Sequence, residues 1–157
     1  MYRIGFSKDI HKLVKGRKLM LAGVHIPFSK GELAHSDGDV IIHAIAEAML
    51  GAAALGDLGK FYPTNDKKYK NIASKEILSD TNKRIKKLKY MVENIDVSVE
   101  LEKPKLAPYI NKMRNNLAKI LKIKSNQISI KANTNEGLCV TGKGEAVIAY
   151  AIVLLKK

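Results

Sequence analysis

The residues best suited to chemistry lie in the first third of the sequence. Asp9 and His11 are two positions apart, so in an extended segment both side chains point to the same face. A carboxylate beside an imidazole offers two ready ligands for a zinc-like ion. The same D-x-H pattern also arises by chance, as a capping Asp next to a surface His, so the pair alone leaves both interpretations open.

A polar stripe on the next predicted helix, over 39–53, strengthens the metal interpretation. Asp39, His43 and Glu47 are spaced four residues apart and therefore share one face of a helix that is otherwise apolar. A stripe facing solvent is the alternative, but in this lysine-rich protein such a stripe would be expected to carry lysine, and this helix has none. The stripe therefore favours a buried polar cluster or a metal site.

Asp9, His11 and His43 together would supply three protein ligands. Three ligands leave the fourth tetrahedral position open, which is the pattern of catalytic rather than structural zinc. A substrate oxygen in that position would be polarised by the ion. His35, in the preceding loop, adds a further imidazole near the predicted site.

A second polar cluster follows a predicted strand at 131–136. Thr134 offers a hydroxyl and Glu136 a carboxylate, which suit a harder ion such as Mg²⁺ bridging phosphates. A polar loop that simply closes a strand is the alternative. The glycine turn at 142–144 could cradle a phosphate, but the turn is weak as a motif.

The elements that must position these residues alternate between strands and helices. Strict alternation of apolar and polar residues predicts a half-buried strand over 95–102, and helical spacing predicts helices over 74–89 and 107–122. Further strands are predicted at 3–6, 19–26 (a strand or hairpin), 128–132 and 146–155, the last buried on both faces, with loops at 29–37 and 56–70. This order predicts one α/β (α+β) domain over 1–157, with a mixed sheet of about four strands, a hairpin, and helices on one face.

Composition limits the class of protein. The 157 residues suffice for one core, and the formal charge of +13 would attract anions, although a lysine-heavy surface is the better explanation of it. The single cysteine, Cys139, excludes a disulfide framework and a cysteine-rich zinc site within one chain. No apolar leader opens the sequence, and the run at 40–55 contains His43 and Glu47 and is too short for a bilayer. We therefore expect a soluble, cytoplasmic protein without a membrane partner.

Two strings connect these residues to a known family. The string A-H-S-D-G-D at 34–39, followed by His43, and the string G-A-A-A-L-G-D-L-G at 51–59 closely resemble those of the 2-C-methyl-D-erythritol 2,4-cyclodiphosphate synthases. The resemblance runs from Arg3 to about Leu155. It implies an enzyme of the non-mevalonate route to isoprenoids, a phosphorus–oxygen lyase that closes 4-diphosphocytidyl-2-C-methyl-D-erythritol 2-phosphate into the cyclic diphosphate and releases CMP. It also implies a homotrimer with active sites between neighbouring subunits.

The resemblance assigns the ions and the catalytic side chains. Zn²⁺ or another divalent ion is expected on Asp9, His11 and His43, and Mg²⁺ or Mn²⁺ on Glu136 with the substrate phosphates. The residues expected to hold and stabilise the reacting diphosphate are His35 and Thr134.

The same resemblance assigns a substrate pocket. Asp57 and Gly59 match positions that grip the sugar hydroxyls, and the segment 101–107 matches the cytosine pocket. The substrate contacts expected in addition to the ion ligands and catalytic side chains are Ser36, Asp57, Leu58, Gly59, Tyr62, Asp66, Leu101, Pro104, Lys105, Leu106, Ala107, Ala132, Asn133, Val140 and Lys143.

Two other functions remain as alternatives. A basic nucleic-acid-binding module would use the lysine patches, but only nine residues are aromatic and no RNA-binding motif is present, so we expect no nucleic-acid partner. A zinc phosphohydrolase would use the same metal site with water in place of the internal phosphate.

Overall fold

A mixed β-sheet forms the frame of the fold in the computed structural model, which describes residues 1–34, 36–63, 66, 69 and 72–157. Its strands are β1 (Tyr2–Lys15), β4 (Lys30–Leu33), β5 (Met91–Glu100), β6 (Ile128–Asn133) and β7 (Ala146–Lys156). They lie in the order β4-β1-β7-β5-β6; β5 and β6 run parallel, and the other neighbours are antiparallel. A hairpin of β2 (Leu19–Leu21) and β3 (Val24–Ile26) makes a separate two-stranded sheet.

Helices cover one face of the sheet. They are α1 (Val40–Ala52), α2 (Leu58–Phe61), α3 (Ser74–Lys87), α4 (Ile110–Leu121) and α5 (Cys139–Gly142). Helix α1 lies against β1 and β7 and is covered in turn by α3, while α4 packs beside β6 and α3. The predicted α/β class and the one-sided helix layer are confirmed. None of the helices in the described part of the chain is long and apolar enough to cross a membrane.

The two faces of β7 differ in burial. Its alternate residues Val147, Ala149, Ala151, Val153 and Leu155 point into the helix layer and are buried. On the opposite face Ile152 is 42% exposed. The expectation of a strand buried on both faces is therefore wrong for the single chain, because the helices cover only one side of the sheet.

Strand β1 is much longer than the predicted segment 3–6, and β4 falls within a predicted loop. Strand β1 pairs with β7 from Tyr2 to Lys12 and then with β4 from Lys12 to Lys15. The residues of β1 that face the helices include Ser7, Asp9 and His11, so the apolar alternation that marks a strand is missing there. Helix α2 likewise lies within the predicted loop 56–70.

Candidate active site and metal centre

Asp9, His11 and His43 converge at the contact between β1 and α1. The Oδ2 atom of Asp9 lies 3.2 Å from Nε2 of His11 and 3.2 Å from Nδ1 of His43. The ligand atoms of all three side chains lie within 4.8 Å of one another. The two imidazoles are 12% and 13% exposed and the carboxylate 30%, so the cluster is half-buried and open on one side.

Backbone geometry brings the strand and the helix close enough for this contact. Asp9 and His11 both project towards α1 because strand side chains alternate with a period of two. At Gly5 an added Cβ would lie 1.9 Å from the carbonyl oxygen of Ala48, so β1 and the α1 backbone touch where only glycine fits. Close approach of this kind is a reason for glycine inside a strand.

Asp39 fixes the start of α1 and does not join the metal cluster. Its side chain is fully buried and accepts hydrogen bonds from the backbone N–H groups of Ile42 (3.1 Å), Ala22 (2.9 Å) and Gly23 (2.5 Å). It is the N-cap of α1 and ties the helix to the β2–β3 hairpin. Glu47 is half-buried, and burial, followed by repulsion from Asp9, raises its pKa. Of the predicted stripe, only His43 belongs to the cluster.

Hydrogen bonds orient the ligand atoms. Nδ1 of His11 donates to the carbonyl of Gly38 at 2.6 Å, since a carbonyl can only accept, and this leaves Nε2 for a metal. Oδ1 of Asp9 accepts from the N–H of Ile10 at 2.9 Å, so Oδ2 faces the two imidazoles. Metal-bound histidines commonly hold their second nitrogen in this way.

Charges around the cluster favour a cation. Burial raises the pKa of Asp9, but hydrogen bonds and attraction from His11 and His43 outweigh it and hold the pKa well below its usual range. Burial lowers the pKa of His11, but Asp9 and Glu32 outweigh it and move the pKa well above its usual range. One carboxylate and two imidazoles at these distances fit a divalent ion such as zinc.

The second predicted cluster follows β6 directly. Thr134 and Glu136 are exposed neighbours, with Oγ1 of Thr134 donating to Oε1 of Glu136 at 3.5 Å. Asn135 anchors this segment by donating to Oε2 of Glu100 (2.8 Å) and to Oγ1 of Thr141 (2.7 Å). Mg²⁺ usually binds to one or two carboxylates together with substrate phosphates, which fits an exposed Glu136 on an anchored loop.

The predicted cytosine-pocket residues lie around the ends of β5 and β6. The N–H of Leu101 donates to the carbonyl of Asn133, and Ala132 pairs with Val99 on β5. Leu101 and Leu106 are buried, Lys105 and Ala107 are exposed, and Pro104 follows a cis peptide bond. Val140 and Lys143 are exposed on and directly after α5. In the described residues no hydrogen bond or ion pair joins this region to the Asp9–His11–His43 cluster.

The predicted sugar-binding residues surround the short helix α2. Asp57 is its N-cap and accepts from the N–H of Lys60 at 2.9 Å, and Leu58 and Gly59 form its first turn. The hydroxyl of Tyr62 donates to Asp80 of α3 at 2.5 Å, which attaches this segment to the helix layer. Asp66 is exposed, Ser36 lies beside His43, and His35 lies outside the described residues.

Three side chains near the cluster were not predicted from the sequence. Arg17 donates to the carbonyls of Glu32 (3.0 Å) and Ser36 (3.1 Å) and so braces the segment before α1. The hydroxyl of Ser74 donates a hydrogen bond to Asp37, and Ser74 Oγ lies 3.0 Å from Nε2 of His43. The only available signals were the position of Asp37 inside the A-H-S-D-G-D string and that of Ser74 at a predicted helix start.

Comparisons with known proteins agree with this geometry. The model of the YgbB family matches residues 2–156. The chain is 50% identical over 153 residues to the 2-C-methyl-D-erythritol 2,4-cyclodiphosphate synthase of Treponema denticola, covering 98% of this chain and 95% of that protein. A similarly named protein of Fusobacterium nucleatum is 50% identical over 157 residues, covering 100% of this chain and 98% of that one.

Solved structures give the same result. The bifunctional IspDF of Campylobacter jejuni superposes with a TM-score of 0.96 at 38% identity, covering 99% of this chain, which spans 42% of that longer protein. A CDP-bound 2C-methyl-D-erythritol-2,4-cyclodiphosphate synthase superposes with a TM-score of 0.91 at 33% identity, covering 98% and 100% of the two chains. The resemblance stated from the sequence is confirmed: the chain belongs to the YgbB family, together with these cyclodiphosphate synthases.

Proposed function

We propose that this chain converts 4-diphosphocytidyl-2-C-methyl-D-erythritol 2-phosphate to 2-C-methyl-D-erythritol 2,4-cyclodiphosphate and CMP, a step of isoprenoid biosynthesis. The observation that carries the proposal is the convergence of Asp9, His11 and His43 in a chain similar to synthases over nearly its whole length. The relative bound to CDP supports a cytidine diphosphate substrate.

The side chains of the cluster would hold one end of the reacting diphosphate. Asp9, His11 and His43 would ligate Zn²⁺ or another divalent ion, and Glu136 would ligate Mg²⁺ or Mn²⁺ with the substrate phosphates. When bound, such ions neutralise phosphate charge and polarise the phosphoryl oxygens. The protein's own contribution is the half-buried cluster and the hydrogen bonds that fix its ligand atoms before substrate arrives.

The nucleophile in this reaction belongs to the substrate. An oxygen of the 2-phosphate attacks the β-phosphorus, the bond from that phosphorus to the bridging oxygen breaks, and CMP leaves with that oxygen. Holding the two groups in line supplies much of the rate enhancement in such intramolecular reactions. Thr134 on its anchored loop and His35 would hold the diphosphate, and Asp57 and Gly59 would hold the sugars.

A homotrimer would complete the site. The sheet face away from the helices carries apolar side chains of β1 that are 47–71% exposed, namely Ile4, Phe6 and Ile10. Ile152 of β7 pairs with Phe6 on the same face. An apolar sheet face of this kind suits burial against copies of the chain. Bringing the 132–136 segment of one subunit to the metal cluster of its neighbour would unite the two regions.

The test supplies purified protein with the diphosphocytidyl substrate, Zn²⁺ and Mg²⁺, and follows CMP release. We expect His43→Ala to lose zinc and turnover while remaining trimeric by size-exclusion chromatography with light scattering. His25→Ala is the matched control, because His25 is exposed on the β2–β3 hairpin. Absence of CMP with the unaltered protein would overturn the function; full activity in His43→Ala would overturn the ligand assignment.

A further inference from the structure

A chain of hydrogen bonds runs from the far side of His43 to the start of α3. Nδ1 of His43 faces Asp9, while Nε2 lies 3.0 Å from Oγ of Ser74 and 3.3 Å from Oγ of Ser36. Ser74 is fully buried, and its hydroxyl donates to Oδ1 of Asp37. The backbone N–H of Ser74 also donates to the two oxygens of Asp37, at 3.1 and 3.2 Å.

The direction of these bonds determines the tautomer of His43. A serine hydroxyl has one proton, and a carboxylate only accepts, so the bond to Asp37 uses the proton of Ser74. Oγ of Ser74 can then only accept from His43, which requires the proton of the neutral imidazole to sit on Nε2. In the metal-bound, neutral imidazole the lone pair is then on Nδ1, the atom that faces Asp9.

We infer that Ser74 and Asp37 are positioning residues that hold His43 in the metal-binding tautomer and orientation. The inference rests on the proposed metal centre and adds two residues outside its ligands. Because Asp37 binds both the hydroxyl and the backbone N–H of Ser74, the first turn of α3 is attached to the metal centre. Partners of this type typically change metal affinity by about 10–100-fold when removed.

Two variants test the chain of bonds at different atoms. Ser74→Ala removes the acceptor of the Nε2 proton. Asp37→Asn keeps the shape, but an amide can donate to Ser74, whose hydroxyl can then turn and donate to Nε2 of His43. That reversal places the imidazole proton on Nδ1 and removes the metal-binding lone pair. Ser79→Ala is the matched control on the same helix.

The measurements are Zn²⁺ affinity, by competition with a chelating dye, and the hydrogen bond of the His43 Nε2 proton, from side-chain ¹H–¹⁵N correlation spectra of the zinc-loaded protein. We expect Ser74→Ala and Asp37→Asn to weaken Zn²⁺ binding about 10–100-fold and to shift the ¹H–¹⁵N signal of His43 Nε2, with Ser79→Ala unchanged. Thermal melting by circular dichroism checks that each variant is folded.

The outcomes separate this inference from the proposed function. Wild-type Zn²⁺ affinity and an unchanged His43 Nε2 signal in both variants would overturn the positioning role while leaving the metal centre intact. Failure of the unaltered protein to bind Zn²⁺ would instead overturn the proposed centre, and the inference with it. If Ser74→Ala does not fold, the Zn²⁺ affinity and the His43 spectrum of Asp37→Asn alone test the positioning role.

Discussion

Replacing Gly5 with alanine should separate the two elements that carry the metal ligands. The added Cβ would lie 1.9 Å from the carbonyl oxygen of Ala48 and 2.8 Å from the backbone nitrogen of Ala52. Carbon and oxygen atoms in van der Waals contact lie about 3.5 Å apart, so β1 must move about 1.5 Å away from α1. Both contacts are backbone atoms that cannot rotate aside. Overpacking typically costs about 1–3 kcal/mol, and here we expect at least the upper value.

The same displacement should weaken metal binding, because Asp9 and His11 lie on β1 and His43 lies on α1. Metal–ligand distances tolerate only about 0.2 Å, so zinc affinity should fall together with stability. Urea unfolding gives the free energy of unfolding, and dye competition gives the affinity.

Gly51→Ala is the control for the glycine experiment. Its Cβ would meet nothing within 4 Å, and the residue lies inside α1. We expect it to stabilise the helix by about 0.5–1 kcal/mol. A Gly5→Ala protein with the unfolding free energy and zinc affinity of the unaltered protein would refute the close contact between β1 and α1.

Three further predictions concern pH, Tyr62 and Glu136. In the metal-free protein, Asp9 and Glu32 hold the pKa of His11 above its usual range, and burial raises the pKa of Glu32 to about 8. Both groups bind protons more tightly in the folded protein than in the unfolded chain. The free energy of unfolding, measured in EDTA, should therefore fall as pH rises from about 7 to 9, and an increase over this range would contradict the prediction. Tyr62→Phe should lower the free energy of unfolding by about 1 kcal/mol, because its hydroxyl is hydrogen-bonded to Asp80; an unchanged free energy of unfolding would contradict this. Glu136→Gln should raise the Mg²⁺ concentration needed for half-maximal turnover while zinc content stays constant, and equal loss of both ions would refute two separate sites.

The Asp9–His11–His43 cluster could be predicted because the spacing of these residues has direct geometric meaning. The D-x-H pair lies on one face of a strand, and His43 lies on the sheet-facing side of α1, as the period of each element requires. Asp39 shares the same spacing, but only the structure separates its capping role from ligation. Its three backbone donors come from α1 and the β2–β3 hairpin, and that contact is tertiary.

The length of β1 and the role of Ser74 could not be predicted for the same physical reason. In β1 the inward positions are occupied by Ser7, Asp9 and His11. Because these residues are polar, the strand lacks the alternation of apolar and polar residues that predicts a strand. Ser74 lies 31 residues from His43, and only the packing of α3 on α1 brings them together. Short edge strands such as β4 have too few residues to show a period at all.

The central claim is that the substrate's own phosphate, rather than water, attacks the β-phosphorus. The most direct measurement is turnover in H₂¹⁸O with Zn²⁺ and Mg²⁺, followed by mass spectrometry and ³¹P NMR of the products. We predict a cyclic diphosphate and CMP with no ¹⁸O in either. A linear product carrying ¹⁸O would contradict the account and identify the Asp9–His11–His43 centre as that of a phosphohydrolase.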